Sequence, residues 1–241
     1  MYILEKNLRG FMKYFFLMIT CFFPFFLSAA SSKEDKKVDI GQLRYVPKDY
    51  SKLLGMAGFS DDLLKMHFTL YQGYVKNVNV ILDEISAFDK SGKSRSFDYG
   101  AVKRRMGWEY DGMRLHELYF ENLGGKGDAS QGRDVMNALS EQFGSYEAWL
   151  EDFISTGLIR GIGWVILCRD NNTGKLFNIW VSEHDVGHLA NASLLLVMDV
   201  WEHAYITEYG LNREKYIYAF FSNVDWSVVN NRLKSSFIQK K

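Results

Sequence analysis

The chain has 241 residues, 47% of them hydrophobic and 16% aromatic, with six Trp: enough apolar material for one substantial domain or two small ones sharing a core, and too aromatic for a disordered segment. Its 29 basic and 29 acidic side chains cancel, and no run of Lys or Arg is long enough to follow a phosphate backbone, so nothing points to nucleic acid as a partner. No Walker-type loop and no Gly-x-Gly-x-x-Gly after a strand offers a nucleotide a seat.

The first thirty residues read as a signal peptide. Lys6, Arg9 and Lys13 precede an apolar run from Tyr14 to Leu27, and Ser28-Ala29-Ala30 follow it as small residues suited to cleavage. A spanning helix needs about 20 apolar residues, and Pro24 interrupts this shorter run. Met12 is an alternative start that leaves a more compact signal. Cleavage after Ala30 removes three cations and Glu5, leaving 26 basic and 28 acidic side chains. It also removes Cys21, so Cys168 has no partner within the mature chain and neither a disulfide nor thiolate metal ligation is expected. The expected product is exported, periplasmic or secreted, without stable membrane anchoring.

A solvated stretch, Ser31 to Lys37, leads through a mixed arm around Pro47 into a sharper pattern. Ser60-Asp61-Asp62 can cap a helix whose apolar positions Leu63, Leu64, Leu70, Tyr71, Tyr74, Val75 and Val78 fall at helical intervals, with His67 on the same stripe. Polar residues from Asp89 to Ser96 break it. A second helical segment runs to Asn122 and is closed by Gly124-Gly125, with His116 in its last two turns. Two helices joined this way form an antiparallel hairpin. A further amphipathic stretch lies around Phe143 to Phe153. Then the period changes: Trp164 to Cys168 and Leu176 to Val181 are strand-like and flank the turn Asn171-Asn172-Thr173-Gly174. Beyond His188, an apolar run from Leu194 enters Met198-Asp199-Val200-Trp201-Glu202-His203, and helical spacing resumes to the C-terminus. The organisation expected is a signal peptide at 1–30, an arm and helical hairpin at 31–127, and an α/β domain at 128–241.

All five histidines fall after the signal, and a single His on an apolar face is more often a hydrogen-bonded core residue than a ligand. Asp199 and His203 stand out. Their spacing of four is expected to put both on one helix face, and the stretch is otherwise too apolar to leave an Asp unpaired cheaply.

The segment Asp199-Val200-Trp201-Glu202-His203-Ala204-Tyr205 closely resembles the signature of the iron/manganese superoxide dismutases. Tyr74 to Asn79, Phe143-Gly144-Ser145, Gly161-Ile162-Gly163-Trp164 and Asp225-Trp226 resemble further family segments, in order, from about Leu53 to Leu233. The resemblance implies an α+β fold: an N-terminal antiparallel helical hairpin, then an α/β domain with a three-stranded antiparallel sheet. It implies four metal ligands, His67, His116, Asp199 and His203, holding one iron or manganese ion per subunit. Zinc has no accessible redox step, whereas ping-pong dismutation of superoxide to oxygen and hydrogen peroxide needs a metal that accepts and returns an electron.

Around the ligands, the resemblance makes Tyr74 a gateway tyrosine and His184, in Glu183-His184-Asp185, the residue that contacts coordinated solvent; His188 is the rival for that place. Trp164 and Trp201 become walls of the pocket, Glu202 the residue that reaches the partner subunit's ligand in a homodimer, and Arg213 a cation that attracts superoxide. Gly112 stands where one branch of iron enzymes carries Gln. His67 and Tyr74 lie one residue closer than usual, so a helical bulge is expected to be missing. The usual interface His and Tyr are replaced, at Leu70 or Tyr71 and at Ile206. Two other readings stay open: a non-redox hydrolase, since similar ligands activate water at zinc, and an inactive exported interaction module.

Overall fold

The computed structural model describes residues 39–238; the predicted signal peptide, with Met12 and Cys21, lies outside them. The first helix, α1 (Asp61–Lys90), starts as its cap predicts: Ser60 Oγ accepts from the Leu63 amide, and Asp61 and Asp62 occupy the first turn, where the helix dipole favours anions. It buries Leu64, His67, Tyr71, Val75, Val78 and Leu82 on one stripe. Ser96 caps α2 (Phe97–Glu121) in the same way through the Tyr99 amide. The two helices pack along each other as the expected hairpin. α1 is one uninterrupted α-helix with no bulge, so Tyr74 follows His67 after two regular turns.

The amphipathic stretch around Phe143 is not one helix but the junction of two, α3 (Arg133–Phe143) and α4 (Tyr146–Gly157). Gly144 ends the first with φ 91°, a conformation open to glycine, and Ser145 caps the second by accepting from the Ala148 amide. Strands β1 (Gly163–Asp170), β2 (Leu176–Ser182) and β3 (Ala192–Asp199) form an antiparallel sheet in the order β2-β1-β3. The central strand is buried from Gly163 to Arg169. α4 packs on β1 and β2, while α2 and α7 (Trp226–Ile238) pack on β3. Between them lie α5 (Ile206–Tyr209) and α6 (Arg213–Phe221), separated by Gly210 at φ 55°.

One buried apolar cluster runs from Leu64 and Tyr71 of the hairpin through Phe120 into Trp164 to Cys168 and Leu195 to Met198 of the sheet. Cys168 is a free, buried thiol in it, and burial pushes its pKa up to about 11. No helix among the described residues is long and apolar enough to cross a membrane.

Candidate metal centre

The hairpin and the sheet deliver four side chains to one point. His67 comes from the second turn of α1, His116 from the end of α2, and Asp199 from the last residue of β3. The expectation of one helix face for Asp199 and His203 is corrected. Asp199 still belongs to the sheet, paired with Trp164, and His203 lies on a single 3-10 turn, Glu202–Ala204. The apolar run Leu194 to Met198 completes β3 in the core, and the chain then bends at Val200-Trp201. Trp201 donates its amide to Asp199 Oδ1 at 2.8 Å, and the bend returns His203 Nε2 to within 3.1 Å of Asp199 Oδ2.

Asp199 Oδ2 also lies 3.2 Å from His67 Nε2 and 3.7 Å from His116 Nε2, and the four ligand-type atoms are all within 4.8 Å of one another. Burial alone would raise the Asp199 pKa, but His203 and His67 hold the carboxyl far below the usual carboxylate range. Burial depresses both His67, against the pull of Asp199, and His116, the latter strongly, so both rings are neutral.

His116 tests whether these residues suit a metal ion. Its Nδ1 lies 2.5 Å from the Gly112 carbonyl, which can only accept, so the ring proton sits on Nδ1. Nε2 is then a bare lone pair. It is buried, has no hydrogen-bond partner among the described residues, and faces an anionic carboxylate. A buried lone pair aimed at an anion is what a cation seated between them would satisfy, and three imidazole nitrogens with one carboxylate oxygen suit iron or manganese.

Around this cluster the predicted residues meet. Trp164 packs edge-on to His116 at 5.0 Å, and Trp201 stacks on His203 at 5.8 Å and on His184 at 4.9 Å. Tyr74 lies 5.2 Å from the His116 ring, and its hydroxyl is 2.7 Å from His184 Nε2. Trp164 Nε1 donates to His184 Nδ1 at 3.1 Å. The segment carrying His184 is pinned at three points: Ser182 pairs with Val186, Trp201 Nε1 donates to the Glu183 carbonyl, and His188 Nε2 donates to the His184 carbonyl at 2.9 Å. Glu183 adopts φ 55°, strained for a residue with a Cβ and held by these contacts. His188, the rival, therefore supports the loop while His184 faces the site.

Burial lowers the His184 pKa to about 4 from an ordinary 6.5. A His depressed in the folded state contributes stability fully above pH 6.5 and loses it as pH falls toward about 4, by at most about 1.4 kcal/mol per pH unit. Comparing thermal unfolding of the metal-loaded wild type and His184→Gln between pH 7 and 4.5 should show a steeper loss in the wild type, with metal retained in both. Parallel profiles would contradict the assigned environment.

Two predicted residues sit farther out. Glu202 is exposed beside His203. Arg213 lies with it on an open cavity of about 820 Å³, but its guanidinium is engaged by the carbonyls of Gly157, Ile159 and Gly161 and by the Tyr205 hydroxyl. None of its hydrogen bonds reaches the four ligands.

The sequence reading missed Trp108, whose ring packs edge-on to His184 at 4.9 Å and near Trp201 at 6.1 Å. Arg105 covers it from outside at 4.9 Å and pairs with the buried Glu109 at 2.6 Å. Positions 108, 112 and 116 repeat every four residues along α2, which is the signal that could have found it. Gly112 leaves room for the gateway residue, since a Cβ there would meet the Tyr74 ring at 2.6 Å.

The sequence model for iron/manganese superoxide dismutases, C-terminal domain, matches residues 130–232. An iron superoxide dismutase of Aquifex aeolicus is 33% identical over 204 residues, covering 82% of this chain and 94% of that protein. One from Pyrobaculum aerophilum is 30% identical over 181 residues, 73% of this chain and 85% of its own. A manganese superoxide dismutase of Haloferax volcanii is 33% identical over 186 residues, 77% of this chain and 91% of its own. Fold, site and sequence similarity agree, and the chain belongs to the iron/manganese superoxide dismutase family.

Proposed function

We propose that this chain is a superoxide dismutase, converting superoxide to oxygen and hydrogen peroxide, with one iron or manganese ion per subunit held by His67, His116, Asp199 and His203. The observation that carries this reading is the bare, buried Nε2 of His116 facing Asp199 within the four-residue cluster. When bound, the ion supplies a reversible one-electron step, which zinc does not. The relatives named for iron and for manganese favour this over a hydrolase or an inactive module.

The chain's own residues manage the proton side of the reaction. Trp164 can only donate, so His184 accepts at Nδ1 and, being neutral, carries its proton on Nε2. That proton goes to the Tyr74 oxygen. Tyr74 keeps its own hydroxyl proton for a small anion or water in the site. Burial, with the charges of Asp199 and Glu109, pushes the Tyr74 pKa up, so the phenol stays protonated and acts as a donor. Trp108, Trp164 and Trp201 pack their rings around His184 and wall this line of groups.

Export and a homodimer belong to the same reading. The charge, apolar run and small residues of the N-terminus support export, and the exposed Glu202 beside His203 supports a partner-facing role. The test is to express residues 31–241, reconstitute with iron and with manganese separately, and measure metal content and superoxide removal. One ion per chain with activity for at least one metal is expected, and activity with neither would overturn the reading. Sedimentation of the same sample is expected to give twice the monomer mass, and the full-length chain is expected to yield an exported product beginning at Ser31.

A further inference from the structure

Asp199 is gripped through its main chain as well as its carboxylate. The Tyr216 hydroxyl lies 2.7 Å from the Asp199 carbonyl, and the Tyr119 hydroxyl lies 3.1 Å from that of Tyr216. Tyr119, Tyr216 and Asp199 are all fully buried. The direction of the chain of bonds follows from chemistry. A carbonyl can only accept, so Tyr216 spends its one proton on Asp199, and Tyr119 must be the donor to Tyr216. At its far end the Tyr119 ring packs against His67 at 5.3 Å. Tyr216 is wedged between the stacked Tyr205 ring at 5.4 Å and Phe59 at 6.0 Å, which leaves it little freedom. The relay thus touches two of the four metal-site residues, Asp199 and His67.

We infer that Tyr216, backed by Tyr119, is a positioning residue that locks the end of β3 and so holds the Asp199 carboxylate between His67 and His203, slowing escape of the metal. The inference rests on the metal reading above. Asp199 is the last residue of its strand, the Val200 amide still donates to the Gly163 carbonyl of β1 at 2.9 Å, and the chain then bends toward His203. β3 is an edge strand of the sheet, and Tyr216 from α6 gives the Asp199 carbonyl its partner.

The test uses the metal-loaded protein and reads the rate of metal release to a chelator, with far-UV circular dichroism as the control for folding. Tyr216→Phe keeps the ring and removes only the hydroxyl. Release is expected to accelerate on the order of tenfold, the low end of what outer partners of metal ligands contribute. Tyr119→Phe is expected to accelerate release less, because Tyr216 keeps its bond to Asp199. The double variant is expected to release no faster than Tyr216→Phe alone, since Tyr119 acts only through Tyr216. A wild-type release rate in Tyr216→Phe overturns the inference, as do additive effects, which mark two independent packing losses. If Tyr216→Phe fails to fold, Tyr119→Phe decides: a rate equal to wild type overturns the relay. Failure of the wild type to hold stoichiometric metal would instead sink the metal reading, so the two failures are distinct.

Discussion

Replacing His203 by Ala is expected to leave the purified protein with less than about a tenth of the wild-type metal content, because losing a direct ligand should cost at least the hundredfold that outer partners can cost. The loss goes beyond one ligand in four. His203 is first among the groups that hold the Asp199 carboxyl in its ionised form, against a burial that opposes ionisation. Without it, the fully buried carboxylate keeps His67 at 3.2 Å and the Trp201 amide at 2.8 Å but loses its leading charge partner, and a buried charge stripped of such a partner is costly. His203 itself is partly exposed in the middle of a short turn, so the fold should survive the substitution. Elemental analysis after dialysis, with circular dichroism to check folding, measures this. Stoichiometric metal in His203→Ala would remove Asp199 and His203 from the site.

Gly112→Ala is expected to lower superoxide removal by on the order of a hundredfold while metal content stays at the wild-type level. Alanine suits a helix interior better than glycine by about 1 kcal/mol. The new methyl, however, would meet the Tyr74 ring at 2.6 Å, and overpacking of this kind costs about 1–3 kcal/mol. Those terms partly offset, leaving a net destabilisation of about 0–2 kcal/mol that the fold should survive. Geometry changes more, since the Tyr74 ring must move and its 2.7 Å bond to His184 is the contact in its path. Kinetics on the loaded variant, beside Tyr74→Phe and the double variant, isolate the cause. Adding Tyr74→Phe to Gly112→Ala should cost little more, and a wild-type rate in Gly112→Ala would mean that the ring slides without breaking the bond.

How legible this site was in the sequence differs from residue to residue. The four candidate ligands were legible through the family resemblance: Asp199 to Tyr205 is a dense local string, and further family segments in order fixed the places of His67, on the stripe capped by Ser60, and His116. The helical hairpin and the strand pair were legible for local reasons: helical spacing, a four-residue turn, capping residues. What failed were features that depend on where the sheet stops. The i, i+4 spacing of Asp199 and His203 looks helical, but burial of Leu194 to Met198 draws the segment into β3, and a bend returns His203 to Asp199. Gly144 followed by Ser145 was an available stop-and-start signal between α3 and α4, masked by apolar spacing that continues across it. Tyr216 left no mark, since a carbonyl 17 residues away along the chain cannot be seen in a string of side chains.

Two of the candidate ligands hang from the hairpin, one from the end of the sheet and one from the turn that follows it, with 132 positions separating His67 from Asp199. An ion seated among them is a rivet through both layers, and a disordered polypeptide has no comparable grip to offer it. Whatever free energy the ion gains on seating is therefore added to the folded side of the equilibrium by mass action. Durability of the enzyme and supply of its metal become one variable, and a cell starved of that metal would hold a looser protein as well as an idle one.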